Sequence, residues 1–139
     1  MDTATATAEY REIMDIAPLA TISTEQAERI IGYFEHIPVR DAILSAIGSD
    51  PAARERIAWI ASEIENVRGA LDAPLRTTLA AISYLNGDYA VASNELGLVT
   101  DDYSLADLLR AGLMMQAPAA LLARSFSHLS PEELLELPA

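Results

Sequence analysis

The chain of 139 residues carries 21 acids against nine arginines and no lysine, and its formal net charge of −12 repels nucleic-acid phosphate unless a local basic stripe intervenes, which the sequence lacks. The absence of cysteine removes disulfides, thiolate nucleophiles and thiolate metal sites, and the absence of lysine removes Schiff-base chemistry and a GKS-type phosphate loop. An apolar fraction of 51% with only 6% aromatic residues points to one helical domain with a core of Ala, Leu and Ile.

From the N-terminus, residues 1–7 alternate Thr and Ala without an apolar face and are expected to fray, which leaves a single helical domain over 8–139. The start has neither a basic region nor an apolar stretch of the signal-peptide kind, and no run of 18 apolar residues occurs, so the expectation is a cytoplasmic protein with no membrane partner. Tyr10, Ile13, Met14 and Ala17 share one face of a first helix that Pro18 ends. Ser23 and Gln26 pair as a cap for a helix over 24–36, with Ala27, Ile30, Ile31 and Phe34 along one stripe. Pro38 closes it, and 39–47 forms a short helix for which Gly48 offers a left-handed C-cap.

Asp50 and Pro51 form an N-cap and first turn. Behind them Ala53, Ile57, Ile60, Ile64, Val67 and Leu71 recur every three or four residues, making this the strongest helical pattern in the chain. Arg54, Arg56 and Arg68 alternate with Glu55, Glu63 and Glu65 as on a solvated face. Asp72 and Pro74 open the next helix, which turns Leu75, Leu79, Ile82 and Leu85 inward while Ala80 and Ala81 admit a close neighbour. Asn86 and Gly87 stop it, and Asp88 is placed to cap a following helix whose contact stripe is Tyr89, Ala92, Leu96 and Val99. So short a connection makes the pair antiparallel.

Asp101, Asp102 and Ser104 offer caps for a third helix with Leu105, Leu108, Leu109, Gly112 and Leu113. Met114 and Met115 precede a break at Gln116-Ala117-Pro118, which suits a kinked core, the default, or a pliable contact surface. Ser130 to Leu137 is a capped amphipathic turn that folds back or docks on another subunit. The fold expected is all-α, a compact bundle of six to eight short helices arranged as antiparallel hairpins, with its central seam over 51–99.

Two resemblances fall on the same stretch. The Gly-Asp-Tyr-x-x-Ala spacing of 87–92 is similar to the second-helix entry of a tetratricopeptide repeat, so 73–99 is a TPR-like hairpin in a single copy, too few for a solenoid. Read with PVRDAIL at 38–44, the run 73–113 resembles the C-terminal helical half of the actinobacterial domain-of-unknown-function family numbered four-one-nine-two. Arg40, Asp41, Gly87, Asp88, Ala92, Tyr103, Leu105, Ala106, Leu108 and Leu109 carry that likeness. Tyr89 and the Asp101-Asp102 pair depart from it, the strand-bearing N-terminal half of the family is absent, and about half of the chain is covered. The resemblance implies a helical module of an actinobacterium or its phage, with no established biochemical activity and no catalytic residue to carry over.

Candidate chemistry is sparse. His36 and His128, the two imidazoles, fall near expected helix C-termini, where the dipole favours a positive charge. No HExxH and no ExxH motif occurs, so neither a metal nor a cofactor is expected. Asp101, Asp102 and Asp107 at a helix start read as caps rather than as cation ligands. Arg40 and Asp41, adjacent on a helix, diverge, and their expected role is to tie that helix to a neighbour's acid and backbone. No GxSxG elbow and no GxGxxG loop occurs. The function expected is a non-enzymatic protein–protein interaction or assembly module. Its candidate surface is Asp101, Asp102, Asp107, Met114 and Met115, and its partner is another protein or a second copy, not nucleic acid. The alternative is an acidic nucleic-acid mimic that inhibits a DNA- or RNA-binding protein. A weaker third expectation, a hydrolase or transferase using scattered carboxylates, requires two acids with raised pKa values in a cleft.

Overall fold

The computed structural model describes residues 1–137, and these form nine α-helices and no strand, one helix more than the sequence reading allows. The expected domain end at 138–139 lies outside the described residues. Helix α1, Thr3–Met14, begins earlier than residue 8 because the Asp2 carboxylate accepts the Thr5 N–H at 2.7 Å, and because Ala6 is buried, giving the Thr-Ala stretch an inward face. Helix α2, Thr24–Tyr33, starts under the Ser23 hydroxyl, which accepts the Gln26 N–H.

Helix α3, Ile37–Ser49, buries eight of its residues, Val39 and Ala42 through Gly48, and is apolar nearly all round. A helix of that kind belongs in the middle. It packs against α1 and against four later helices, α4 (Pro51–Arg68), α5 (Ala73–Leu85), α8 (Ala119–Phe126) and α9 (Pro131–Glu136). The centre of the molecule is therefore α3 rather than the seam over 51–99. Gly48 corrects a second expectation. It stays inside α3 without a left-handed φ, and a Cβ there would lie 2.9 Å from Phe126 Cβ and 3.1 Å from the Ala123 carbonyl oxygen. Its missing side chain lets α8 cross α3.

Asp50 caps α4 through the Ala52 N–H, and Gly69 ends it with φ +81°. Helices α5 and α6 (Tyr89–Gly97) make the most extensive helix pairing in the fold, joined across Gly87, whose φ of +82° only glycine adopts without strain. Arg76 near the start of α5 donates to Glu95 near the end of α6 at 3.0 Å, so the two run antiparallel, as the short connection requires. Asp88 and Asp72 stand at N-cap positions but neither side chain makes a capping bond. Helix α7, Ser104–Met114, comes next, with no side-chain cap either. The Ser130 and Glu133 side chains close a reciprocal capping box on α9. Through Leu134 and Leu135, α9 folds back on α1 and α3, and the buried Ser45 hydroxyl donates to the Leu129 carbonyl at 2.6 Å beside it.

Candidate functional site

Among the described residues, helix α8 is the one helix with no fully buried side chain. Ala119, Leu122, Ala123 and Phe126 lie half-buried on the core, so Leu121, next in sequence to Leu122, is turned outward. Across from it, α7 buries Leu105, Ala106 and Leu109 and leaves Leu108 59% exposed. Since α7 leans on α5 and α6, and α8 on α3 and α5, an apolar groove of about 430 Å³ opens between them. Leu108, Met115 and Leu121 stand at its rim, and Leu109, Leu122 and Phe126 line its walls.

The floor is Tyr84 of α5, whose hydroxyl donates to the Ala117 carbonyl at 2.7 Å. Gly112 sits over that ring, where a Cβ would come within 2.9 Å of the hydroxyl oxygen. The turn between α7 and α8 is held by the Ala117 N–H donating to the Gly112 carbonyl at 2.9 Å and contains Gln116 at φ +56°, a left-handed conformation that costs a non-glycine residue about 1 kcal/mol. Tyr89 meets Tyr84 edge to face, with centroids 5.3 Å apart, and its hydroxyl accepts the Ala119 N–H. Tyr89 thus braces the start of α8 and remains 43% exposed, whereas Ala92, Leu96 and Val99 are buried as the contact stripe requires.

Past Ser125 and Phe126 the groove runs into a smaller hollow of about 250 Å³ that reaches Arg40 and Asp41. Here the expected divergence of these two side chains is wrong. Arg40 Nε and Nη2 both donate to Asp41 Oδ1, at 3.1 and 2.8 Å, and Nη1 donates to the Tyr103 hydroxyl at 3.3 Å. The flexible guanidinium stem turns back over its own helix and still reaches the turn before α7. It ties α3 to that turn, though through a tyrosine and not through a neighbour's acid.

The candidate surface read from sequence is divided by the structure. Met114 and Met115 are 85% and 80% exposed, which corrects their default placement in the core. Asp101 and Asp102 lie exposed at the opposite end of α7, roughly 16 Å away for its 11 residues, and among the described residues they neither cap the helix nor enter an ion pair. Asp107 pairs with Arg110 at 3.1 Å on the exposed face. Of the residues carrying the family resemblance, Ala92, Leu105, Ala106 and Leu109 are core, Gly87 and Asp88 form the turn, and Leu108 points outward. The sequence pattern does not single out Leu121, Phe126 or Tyr84. The leucine doublet at 121–122 is the available signal, because adjacent helical positions cannot both face one core.

His36 lies just past the end of α2, its N–H donating to the Tyr33 carbonyl, and is also the N-cap residue of α3, where it makes no capping bond. Its Nδ1 instead lies 2.6 Å from Glu9 Oε1, beside a hollow of about 390 Å³ lined by Met1, Ile37, Pro38, Leu134 and Leu137 together with Asp41. The pair can orient an imidazole. No hydroxyl or thiol nucleophile lines this hollow, and Asp41 is committed to Arg40. Two carboxyls, Asp2 and Glu133, titrate below their ordinary range, each because a backbone N–H in a helix cap donates to it. Among the described residues no three His, Asp or Glu side chains gather closely enough to share an ion, and no helix is long and apolar enough to cross a membrane. Comparison with protein-family models, curated proteins and solved structures returned no match.

Proposed function

We propose that the chain is a non-enzymatic protein–protein interaction module whose docking surface is the α7–α8 groove. The observation that carries this reading is a concave, predominantly apolar wall with Leu108, Met115 and Leu121 exposed around it and neither carboxylate nor imidazole in its lining. Its one phenol, Tyr84, is spent on the Ala117 carbonyl. Such a surface can bind and has nothing with which to move a proton near neutral pH. Methionine at the rim adapts to a partner's side chains at low cost. Arg40, Asp41 and Tyr103, which carry the resemblance to the actinobacterial or phage-borne helical family, hold the start of α7 in place and so support the same reading.

Replacement of Leu121 by Arg puts a charge on the rim without touching the core face of α8. The expected result is loss of specific partner capture by the variant, with the wild-type complex retained at high salt. Equal capture by both forms overturns the assignment. The net charge of −12 favours a second function, an acidic mimic of nucleic acid that occupies a DNA- or RNA-binding protein. That binding weakens as salt rises and DNA competes for it, the opposite response to that of an apolar groove.

A further inference from the structure

Given the α7–α8 groove as a docking surface, a reading on which the identity of its occupant depends, we infer that the occupant is the same face of a second copy of this chain. The distribution of charge selects this partner. Residues 103–131 hold two arginines and a single acid, Asp107, which Arg110 already pairs, whereas the remainder of the chain holds 20 acids against seven arginines. Two copies meeting through the acidic faces set carboxylate against carboxylate. Meeting through α7 and α8 keeps the acidic faces apart and leaves them in water. A basic partner, by contrast, is drawn toward the acidic faces and finds no complement in a neutral groove.

The shape agrees with a twofold arrangement. Met115 and Leu121 flank one end of the groove, while Leu105, Ser125 and Phe126 lie at the other, so α7 and α8 run in opposite directions along it. A projecting Leu121 and a concave wall over Gly112 are both present on each copy, and a twofold axis brings each Leu121 to the other copy's groove. The same contact covers Leu108 and Met115, which a free copy leaves largely in water.

The sign of the salt effect distinguishes this assembly. Raising ionic strength from about 0.1 M to about 1 M shortens the screening length from about 10 Å to about 3 Å, which relieves repulsion between two chains that each carry −12. Sedimentation of the full chain between about 1 μM and about 1 mM is expected to show a dimer whose Kd falls several-fold over that salt range. Leu121→Arg is expected to raise Kd about 30-fold or more while the helical circular dichroism is unchanged. Leu19→Arg adds the same charge at a leucine 73% exposed in the α1–α2 connection and is expected to leave the dimer intact. A wild type that stays monomeric at every concentration and salt, or a dimer that Leu121→Arg leaves untouched, overturns the inference. A monomer that still takes a different protein, and loses it in Leu121→Arg, overturns the second copy and spares the docking surface.

Discussion

Two glycine-to-alanine changes of identical chemistry should move stability in opposite directions. Gly32 lies in α2 with a helical φ and nothing within 4 Å of its missing Cβ, so Gly32→Ala gains helix propensity and is expected to stabilise by about 0.5–1 kcal/mol. Gly48→Ala gains at most the same intrinsic term. Its Cβ, however, meets Phe126 Cβ at 2.9 Å and the Ala123 carbonyl oxygen at 3.1 Å. Neither is the far end of a flexible side chain, so α8 must shift away from α3, and overpacking of this kind costs about 1–3 kcal/mol. The two variants should therefore differ by about 1–3 kcal/mol. With a urea m-value of about 2 kcal/mol/M, that places their midpoints about 0.5–1.5 M apart, Gly48→Ala below Gly32→Ala. Hydrogen exchange adds the location, because protection should fall over 119–126 first. Equal stabilisation by both alanines would show that α8 does not cross α3 at Gly48, and the α7–α8 groove would lose one of its walls.

Tyr84→Phe deletes the 2.7 Å bond to the Ala117 carbonyl under the groove and is expected to cost about 1 kcal/mol in a denaturant titration while loosening the α7–α8 turn. Arg40→Lys keeps the charge but loses the fork that reaches both Asp41 and Tyr103, for a loss of about 1 kcal/mol, and Arg40→Ala, which leaves Asp41 unpaired, should cost about 2 kcal/mol in the same assay. Tyr10, Tyr33 and Tyr84 all titrate above the ordinary phenol value, first because burial penalises the phenolate. A raised folded pKa means stability that is whole below the unfolded value, about 10, and is lost as pH rises toward the folded one. The tyrosinate absorbance of these three should accordingly appear late and together with loss of helix, and their early independent titration would contradict their burial.

Helix starts and stops are legible in the sequence wherever the deciding group is local. Ser23, Asp50 and Ser130 cap as their spacing requires, and Gly87 takes the left-handed φ that ends a helix, whereas Gly69 ends α4 at φ +81° before Leu71, through which the periodic pattern runs on. Local rules mislead where a distant contact decides. Gly48 resembles a terminator and is instead a crossing point for a helix more than 70 residues away. Asp88, Asp101 and Asp102 have the chemistry of caps, yet the backbone does not bring their carboxylates onto the free N–H groups. The groove is invisible to periodicity for the same reason. Leu108 and Leu121 belong to ordinary amphipathic patterns, and only the divergence of α7 and α8, set by α3 and α5 beneath them, leaves both without a neighbour.

The arginines show why that layer is the one left open. Arg54 donates to the Ile47 carbonyl at 2.6 Å and so closes the end of α3, Arg110 reaches the carbonyls of Leu96 in the last turn of α6 and of Val99 just past it, and Arg76 spans Glu65 of α4 and Glu95 of α6. A planar fork with several donors serves two or three acceptors at once, which a lysine ammonium at the end of its single stem does less well. Helices as short as these gain much of their order from such cross-ties and from burial against α3. Arg124, the one arginine of α8, makes no hydrogen bond within the described residues, and the helix has no fully buried side chain. A partner seated in the groove covers Leu121 and restrains α8, so binding adds stability to that helix, by an amount that grows with partner concentration. If that partner is a second copy, exchange protection over 119–126 must rise with the concentration of the chain itself, while protection in α3 stays level. Uniform protection at every concentration would separate α8 from any role in assembly.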